Sequence, residues 1–412
     1  VKYTSASVLL LAALAAAQQW EVELVDPSSC APKEVFVRRD SGLTYIAYLT
    51  AAENIRIARK DTIWGYEDLD TGLVRPSPYS EFHFALGPLG RMAVSGVDDS
   101  VRPMVVEKSD TGWVSVWTHE MLSYYAPLAR AAYGDDSTPI VMYCANDYTS
   151  ADIVVEARVD SVWQVDTAAH FDPGSPNECQ LTLYDADGSP EAGPCFLIRY
   201  AYGLPFGAEV PWTYSVVKGY LSGDSWILVG LGGGWNVHVY GYDIAAGTDD
   251  TVRAAVYYGG YLRFDQDSVW PELVTDASIQ VDREGREQIA FVTQDGILRF
   301  AFRDPDWHFC EVTGVTTATC CDLALDSDGQ PLIAFEGANG LSLARGVDVV
   351  GIEESPKPQV SGRKLATTVI RSLPAGAVAF DAMGRRVVDP RSGIFFVREA
   401  QAQTVRKVVI QH

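Results

Sequence analysis

The sequence predicts an all-β fold: a seven-bladed β-propeller closed by an N-terminal strand and followed by a small C-terminal β-sandwich, with six or eight blades as the alternative count. Three observations point there. The 412 residues include 20 Tyr, 15 Phe, 10 Trp and 35 Gly against only 5 Met, a balance that favours strands joined by tight turns. An Asp-containing turn followed by an apolar strand recurs seven times. A strand opening on Trp also recurs seven times, and both marks keep a period of about 48 residues, the spacing of a four-stranded blade.

The turns are Asp40-Ser-Gly, Asp98-Asp99, Asp135-Asp136, Asp185-Ala-Asp-Gly188, Asp249-Asp250, Asp282-Arg-Glu-Gly285 and Asp326-Ser-Asp-Gly329. Apolar runs such as Tyr45-Ile-Ala-Tyr48 and Pro331-Leu-Ile-Ala-Phe335 follow them, and then basic-tipped strands such as Ile55-Arg-Ile-Ala-Arg59 and Leu341-Ser-Leu-Ala-Arg345. The Trp strands sit at Trp64, Trp117 (or Trp113), Trp163, Trp212, Trp270 and Trp307. After the seventh turn the Trp strand is missing, and Trp20-Glu-Val-Glu-Leu-Val25 supplies one at the other end of the chain. Each blade can bury its two faces only against neighbours, so the ring must close, and that N-terminal strand is assigned to complete the last blade. Extra strands at Trp226 and Trp235 make residues 215–260 the region where the blade count is least fixed.

Residues 1–17 carry Lys2, the apolar run Val8-Leu-Leu-Leu-Ala-Ala-Leu-Ala-Ala-Ala17 and small residues before Gln18, the pattern of a secretory signal. The run is far short of the ~20 residues of a membrane-spanning helix, so no span is expected once the signal is removed. Seven cysteines without a C-x-x-C pair are expected to be structural disulfides or buried thiols. The propeller is assigned to residues 18–350, a Pro/Ser/Lys linker to 351–362 and a separate domain to 363–412.

That last domain differs in charge. The chain carries a net −22, yet residues 353–412 hold ten Lys or Arg against five acids, which leaves −27 on the rest. Its short strands include Ala379-Phe-Asp-Ala-Met-Gly-Arg-Arg-Val387, Ser392-Gly-Ile-Phe-Phe-Val-Arg398 and Val405-Arg-Lys-Val-Val-Ile-Gln411. On those residues the segment resembles the type A C-terminal sorting domain of the bacterial type IX secretion system, although the family often opens on Pro-Asn-Pro where this chain has Ser355-Pro-Lys-Pro358. The resemblance implies the secretion machinery as a partner, export to the cell surface or the medium, and a sorting motif at Asp381, Gly384, Arg385, Arg386, Gly393, Phe395, Arg406 and Lys407.

The acidic balance of the body argues against nucleic acid as a partner, since phosphates would repel it. The Asp-x-Asp-Gly turns lack the further oxygen ligands of a calcium loop, and Asp and Gly serve the turn itself; no metal or cofactor is expected. Gly230-Leu-Gly-Gly-Gly234 lacks the Lys-Ser/Thr of a phosphate loop and reads as a bulge or tight loop. Catalytic residues cannot be named, because a ring brings distant carboxylates together without a mark in spacing. The candidate ligand residues are Asn146, Asp147, Tyr148, Tyr200, Tyr202, Tyr257, Tyr258 and Tyr261, aromatics with adjacent amide or acid on longer loops. The expectation is an exported, non-enzymatic binding or adhesion protein for glycan or protein. The alternative is a propeller-fold glycoside hydrolase or polysaccharide lyase.

Overall fold

The computed structural model describes residues 19–347 apart from connecting segments at 29–34, 70–81, 120–128, 134–137, 147–149, 173–177, 190–192, 204–212, 223–224, 236–239, 247–251 and 259–260, and single positions 53, 99, 101, 161 and 266. Beyond 347 it describes five short strands. Residues 1–17 and 351–362, expected from the sequence to be a secretory signal and a linker, lie outside the described residues. The chain divides into two compact units, Val1–Val350 and Gly351–His412.

The first unit is seven four-stranded antiparallel sheets. Blade 1 is β2 (Val35–Asp40), β3 (Leu43–Leu49), β4 (Ile55–Lys60) and β5 (Trp64–Asp68). Blade 2 is β6 (His83–Leu86), β7 (Met92–Val97), β8 (Pro103–Ser109) and β9 (Gly112–Thr118). Blade 3 runs through β10 (Ala129–Tyr133), β11 (Pro139–Asn146), β12 (Ala151–Val159) and β13 (Val162–Phe171). Blade 4 has the longest strands: β14 (Glu178–Ser189), β15 (Gly193–Gly203), β16 (Thr213–Ser222) and β17 (Ser225–Trp235). Blade 5 is β18 (Tyr240–Ala246), β19 (Val252–Tyr258), β20 (Tyr261–Phe264) and β21 (Asp267–Trp270), and blade 6 is β22 (Val274–Val281), β23 (Glu287–Thr293), β24 (Leu298–Asp304) and β25 (Asp306–Glu311). Blade 7 takes β26 (Ala318–Leu325), β27 (Pro331–Gly337) and β28 (Gly340–Val347) from the end of the unit and β1 (Gln19–Asp26) from its start, β1 pairing antiparallel with β28 from Gln19↔Val347 onward.

The first strand of every blade touches the first strands of both neighbours, in the order β2, β6, β10, β14, β18, β22, β26 and back to β2, so the sheets form a closed ring. The core is correspondingly split into seven apolar clusters, one at each blade interface. Phe84 and Ile57 meet in the cluster between blades 1 and 2, Met142 and Phe196 between 3 and 4, and Phe300 and Leu323 between 6 and 7. Each large side chain so buried stabilises by about 1.5–3 kcal/mol. Inner strands such as β23 are buried along their whole length, which is why they read as unbroken apolar runs, while outer strands such as β5 and β25 are largely exposed.

The turns follow from Asp chemistry. Asp98, Asp282 and Asp326 each use Oδ1 to accept two backbone N–H groups of their own turn, at 2.8–3.0 Å, and Gly285 and Gly329 supply φ values of 77° and 74°. Two of the seven repeat marks occupy other places than their spacing implies. Asp40, Asp282 and Asp326 stand between the first and second strands, whereas Asp98 stands between the second and third strands of blade 2. The stretch Asp185-Ala-Asp-Gly188 is no turn: it lies inside β14, where a bulge between Leu183 and Asp185 breaks the register. The Asp135-Asp136 and Asp249-Asp250 marks lie outside the described residues. So does Trp212; the outer strand of blade 4 carries Trp226 in its place, because the long β15–β16 pair moves that strand further along the chain. The Gly-rich stretch 230–234 lies within β17, with a register shift opposite Val216 and Val217.

Three of the outer Trp strands are stitched to the blade behind them. Trp113 Nε1 donates to Glu67 Oε1 (3.0 Å), Trp163 Nε1 to the Val116 carbonyl (3.2 Å) and Trp226 Nε1 to Asp166 Oδ2 (3.0 Å). At the seam Tyr66 Oη donates to the carbonyl of Val25 in β1 (2.6 Å), and Trp20 lies edge-on to Phe300 at 5.6 Å.

Cys144, Cys195, Cys310, Cys320 and Cys321 are free thiols among the described residues. Cys195 pairs across the sheet with Asp187, and Cys179 pairs with Tyr202 at the far end of the same ladder, so Cys179 and Cys195 stand well apart.

The second unit contains β29 (Thr368–Ile370), β30 (Val378–Phe380), β31 (Arg386–Val387), β32 (Gly393–Arg398) and β33 (Val405–Ile410) in one sheet of order β29-β33-β32-β30-β31, with β29 and β33 parallel. The segments on which a second, packed sheet would rest lie outside the described residues.

Candidate functional site: one loop face and the axial channel

All second strands run the same way, so their C-terminal ends share one face of the ring. Asn146 ends β11, Tyr200 and Tyr202 lie near the end of β15, Tyr257 and Tyr258 end β19, and Tyr261 opens β20. The fold thus brings these residues, from three consecutive blades, to the same face. Tyr261 is 42 % exposed. Tyr200 is half-buried, with its ring 4.7 Å from that of Phe171 in the preceding blade, so it also fills the interface. Asp147 and Tyr148 lie outside the described residues. Of the sorting residues, Arg386 is in β31, Gly393 and Phe395 in β32, and Arg406 and Lys407 in β33; Asp381, Gly384 and Arg385 lie outside the described residues.

A second polar feature, which the sequence reading missed, lines the axis. The inner strands place Arg38, His83 and Arg130 on blades 1–3 and Asp185, Asp187, Asp243, Asp276, Ser278 and Asp322 on blades 4–7. A first strand has a free edge, and the carboxylates of blades 4–7 cap the edge of the blade ahead. Asp185 Oδ2 accepts Ile244 N–H (3.2 Å), Asp187 Oδ2 accepts Ala246 N–H (3.3 Å) and Asp243 Oδ2 accepts Ile279 N–H (2.7 Å). Asp276 Oδ2 accepts Cys321 N–H (2.9 Å) and Asp322 Oδ2 accepts Val37 N–H (2.5 Å). Bulges at Leu183/Asp185, Gly241/Asp243 and Val274/Asp276 immediately precede three of these acids and re-aim them along the ring. The recurring signal was available: an Asp followed by an apolar residue inside an apolar strand, as Asp185-Ala, Asp243-Ile, Asp276-Ala and Asp322-Leu.

The channel acids are only partly paired. Arg38 Nη1 lies 2.7 Å from Asp322 Oδ2, and His83 Nε2 lies 3.2 Å from Asp185 Oδ1. On the cationic side Arg130 Nη1 donates to the Phe82 carbonyl at 3.1 Å. Burial pushes the Asp185, Asp243 and Asp322 carboxyls up from their ordinary range, Asp243 furthest because Asp185 lies beside it. Burial, with Arg130 and Arg38 nearby, holds His83 well below its ordinary value and so neutral. At the channel end formed by the first-to-second-strand turns, two cavities open. One of about 580 Å³ is flanked by the turns at Ser41, Asp282 and Asp326, and one of about 270 Å³ by His83, Tyr133 and Asp187; Arg38 and Arg39 line both.

Among the described residues no group of three or more His, Cys, Asp or Glu has the arrangement of a metal site, and no helix is long and apolar enough to cross a membrane.

No protein-family model matches the chain, and no curated protein matches it. Solved structures of low sequence identity resemble it. The SapL1 lectin in complex with α-methyl fucoside has a TM-score of 0.43 at 10 % identity, covering 78 % of this chain and 95 % of that one. A polysaccharide lyase of family PL25, an ulvan lyase, has a TM-score of 0.48 at 12 % identity, covering 77 % and 93 %. The α-L-arabinofuranosidase Arb93A from Fusarium graminearum has a TM-score of 0.42 at 12 % identity, covering 80 % and 97 %. At this distance the likeness decides neither fold nor chemistry, and the chain's assignment as a seven-bladed β-propeller rests on its own strand pairings.

Proposed function

We propose that the chain is an exported, non-enzymatic binding or adhesion protein whose ligand is a glycan or a protein. The observation that carries this reading is the gathering of Asn146, Tyr200, Tyr202, Tyr257, Tyr258 and Tyr261 at one face of blades 3–5. Aromatic surface beside amide groups stacks on sugar rings or peptide planes and fixes their orientation by hydrogen bonds. The channel acids support binding over turnover, since each spends an oxygen on a backbone N–H of the next blade. Delivery to the surface or the medium by a type IX-like route is the part of the proposal supported by the sequence of residues 379–411.

The test is a glycan array run beside a polysaccharide hydrolysis and lyase screen on the whole chain. Binding without turnover is expected, and Tyr261→Ala should weaken it about tenfold, on the order of 1–2 kcal/mol. Turnover of any polysaccharide would replace this reading with the glycoside hydrolase or lyase alternative. Deleting residues from 363 onward should stop delivery; normal delivery would overturn the sorting proposal.

A further inference from the structure

The channel belt joins blades 5, 6 and 7 through contacts between oxygens, and those contacts can be counted against the protons available. Ser278 Oγ lies 2.7 Å from Asp243 Oδ2 and 2.7 Å from Asp322 Oδ1, and it already accepts Leu323 N–H at 3.0 Å. A hydroxyl carries one proton and an ionised carboxylate none. The serine can therefore serve one acid, and the other contact needs a carboxyl that donates to Oγ. Two oxygen-to-oxygen bonds require two protons, and the serine supplies one.

Other groups fix which acid holds the second proton. Asp322 faces the Arg38 guanidinium on β2 and the Val37 N–H, both of which favour its ionised form, so Ser278 donates to Asp322. Asp243, which accepts the Ile279 and Ile244 N–H groups but makes no ion pair among the described residues, then donates to Ser278. From the remaining elements, β6 presents the neutral His83 and β10 presents Arg130, while β14 adds Asp185 and Asp187 and β22 adds Asp276. The thiols of Cys195 on β15 and Cys321 on β26 are held neutral by burial beside the same acids. With every acid ionised, five carboxylates would oppose two guanidiniums, a local net −3; one retained proton reduces it to −2.

We infer that the folded ring keeps one carboxyl proton in the Asp243–Ser278–Asp322 chain at neutral pH, and that releasing it at higher pH loosens the interfaces joining blades 5, 6 and 7. This does not depend on the proposed binding function. A proton held by the folded state and lost by the unfolded one stabilises less as pH rises. The buried neutral His83 acts in the opposite sense, but only below its ordinary pKa of about 6.5. Between about pH 6.5 and 8, below the range in which unfolded thiols ionise, the folding equilibrium constant should fall up to about tenfold per pH unit for the retained proton.

Urea unfolding of the whole chain across that window measures the fall. Infrared difference spectra in H₂O and D₂O at neutral pH should show the C=O stretch of a protonated, buried carboxyl, and Asp243→Asn should remove both that band and part of the pH dependence. Where Asp243→Asn does not fold, the band of the unsubstituted protein decides. Absence of the band, or stability flat across the window, would overturn the inference.

Discussion

Gly219 in β16 shows how little freedom a single position has. It pairs across the sheet with Phe196, and a Cβ added there would overlap that ring. Phe196 is fully buried in the cluster between blades 3 and 4, so it cannot swing away. Gly219→Ala should destabilise by about 1–3 kcal/mol, and Phe196→Leu in the same chain should recover part of the loss, both read by denaturant unfolding. Asp322 is a second such position, holding Val37 N–H, the Arg38 guanidinium and Ser278 at once. Asp322→Ala leaves the half-buried Arg38 guanidinium and the Val37 N–H without this acceptor and should cost about 1–3 kcal/mol, while Asp322→Asn, which keeps one acceptor, should cost clearly less in the same assay. The sequence reading found the turn acids and missed Asp322. Asp326 announces itself by its own neighbours, Ser, Asp and Gly, whereas the partners of Asp322 are on other blades. Asp185 was misread for the same reason, since Asp-Ala-Asp-Gly has the composition of a turn and the bulge that makes it channel-facing depends on the paired strand.

At the scale of the element, the outer Trp strands were legible because the mark is local. Trp is the second residue of β1, β9, β13, β17 and β25 and the first of β5. In blade 5 Trp270 instead ends β21, against Phe291 at 5.4 Å. The phase of the turns was less legible, because an Asp caps a turn equally well between any two strands, and only pairing distinguishes them. The candidate ligand residues were placed by composition, and their convergence on one face follows from strand direction, which composition does not carry. β1 gives the sharpest prediction here. It covers the edge of β28 and inserts Trp20 and Val25 into two interface clusters. Gly340, at φ 107°, lets the β27–β28 turn pass against the Asp26 carbonyl, where a Cβ would collide. A chain lacking residues 19–26 should exchange the β28 amides far faster than those of β23, and should melt lower than the parent.

For the whole molecule, the apolar core is distributed over seven interfaces, so local damage is felt at two of them and propagates around the ring. The net charge of −22 opposes compaction. Added salt should screen it and raise the melting temperature, and a scan from low ionic strength to about 0.5 M, where the Debye length is only a few ångströms, would measure this. The acid limb has a separate cause. Burial would raise the Asp26 carboxyl, but hydrogen bonds from Ser28, Tyr48 and Arg56 outweigh it and hold it down to about 2, and Asp68 and Asp98 are lowered too. For each, the unfolded chain takes up the proton first, so the stability these three acids contribute should hold down to about pH 4 and be lost below it, and a pH series of melting curves of Asp26→Asn against the parent would show this.

In blades 2–4 the outer Trp reaches toward the blade behind, and in blades 4–7 the inner acids reach toward the blade ahead. A blade with such edges is a directional module: a copy inserted after it in the same orientation meets a matching surface on both sides, while an inverted one meets none. Growth of this architecture by tandem duplication therefore conserves its bonding at every new junction, and the repeat still visible in the chain is the trace such a history would leave.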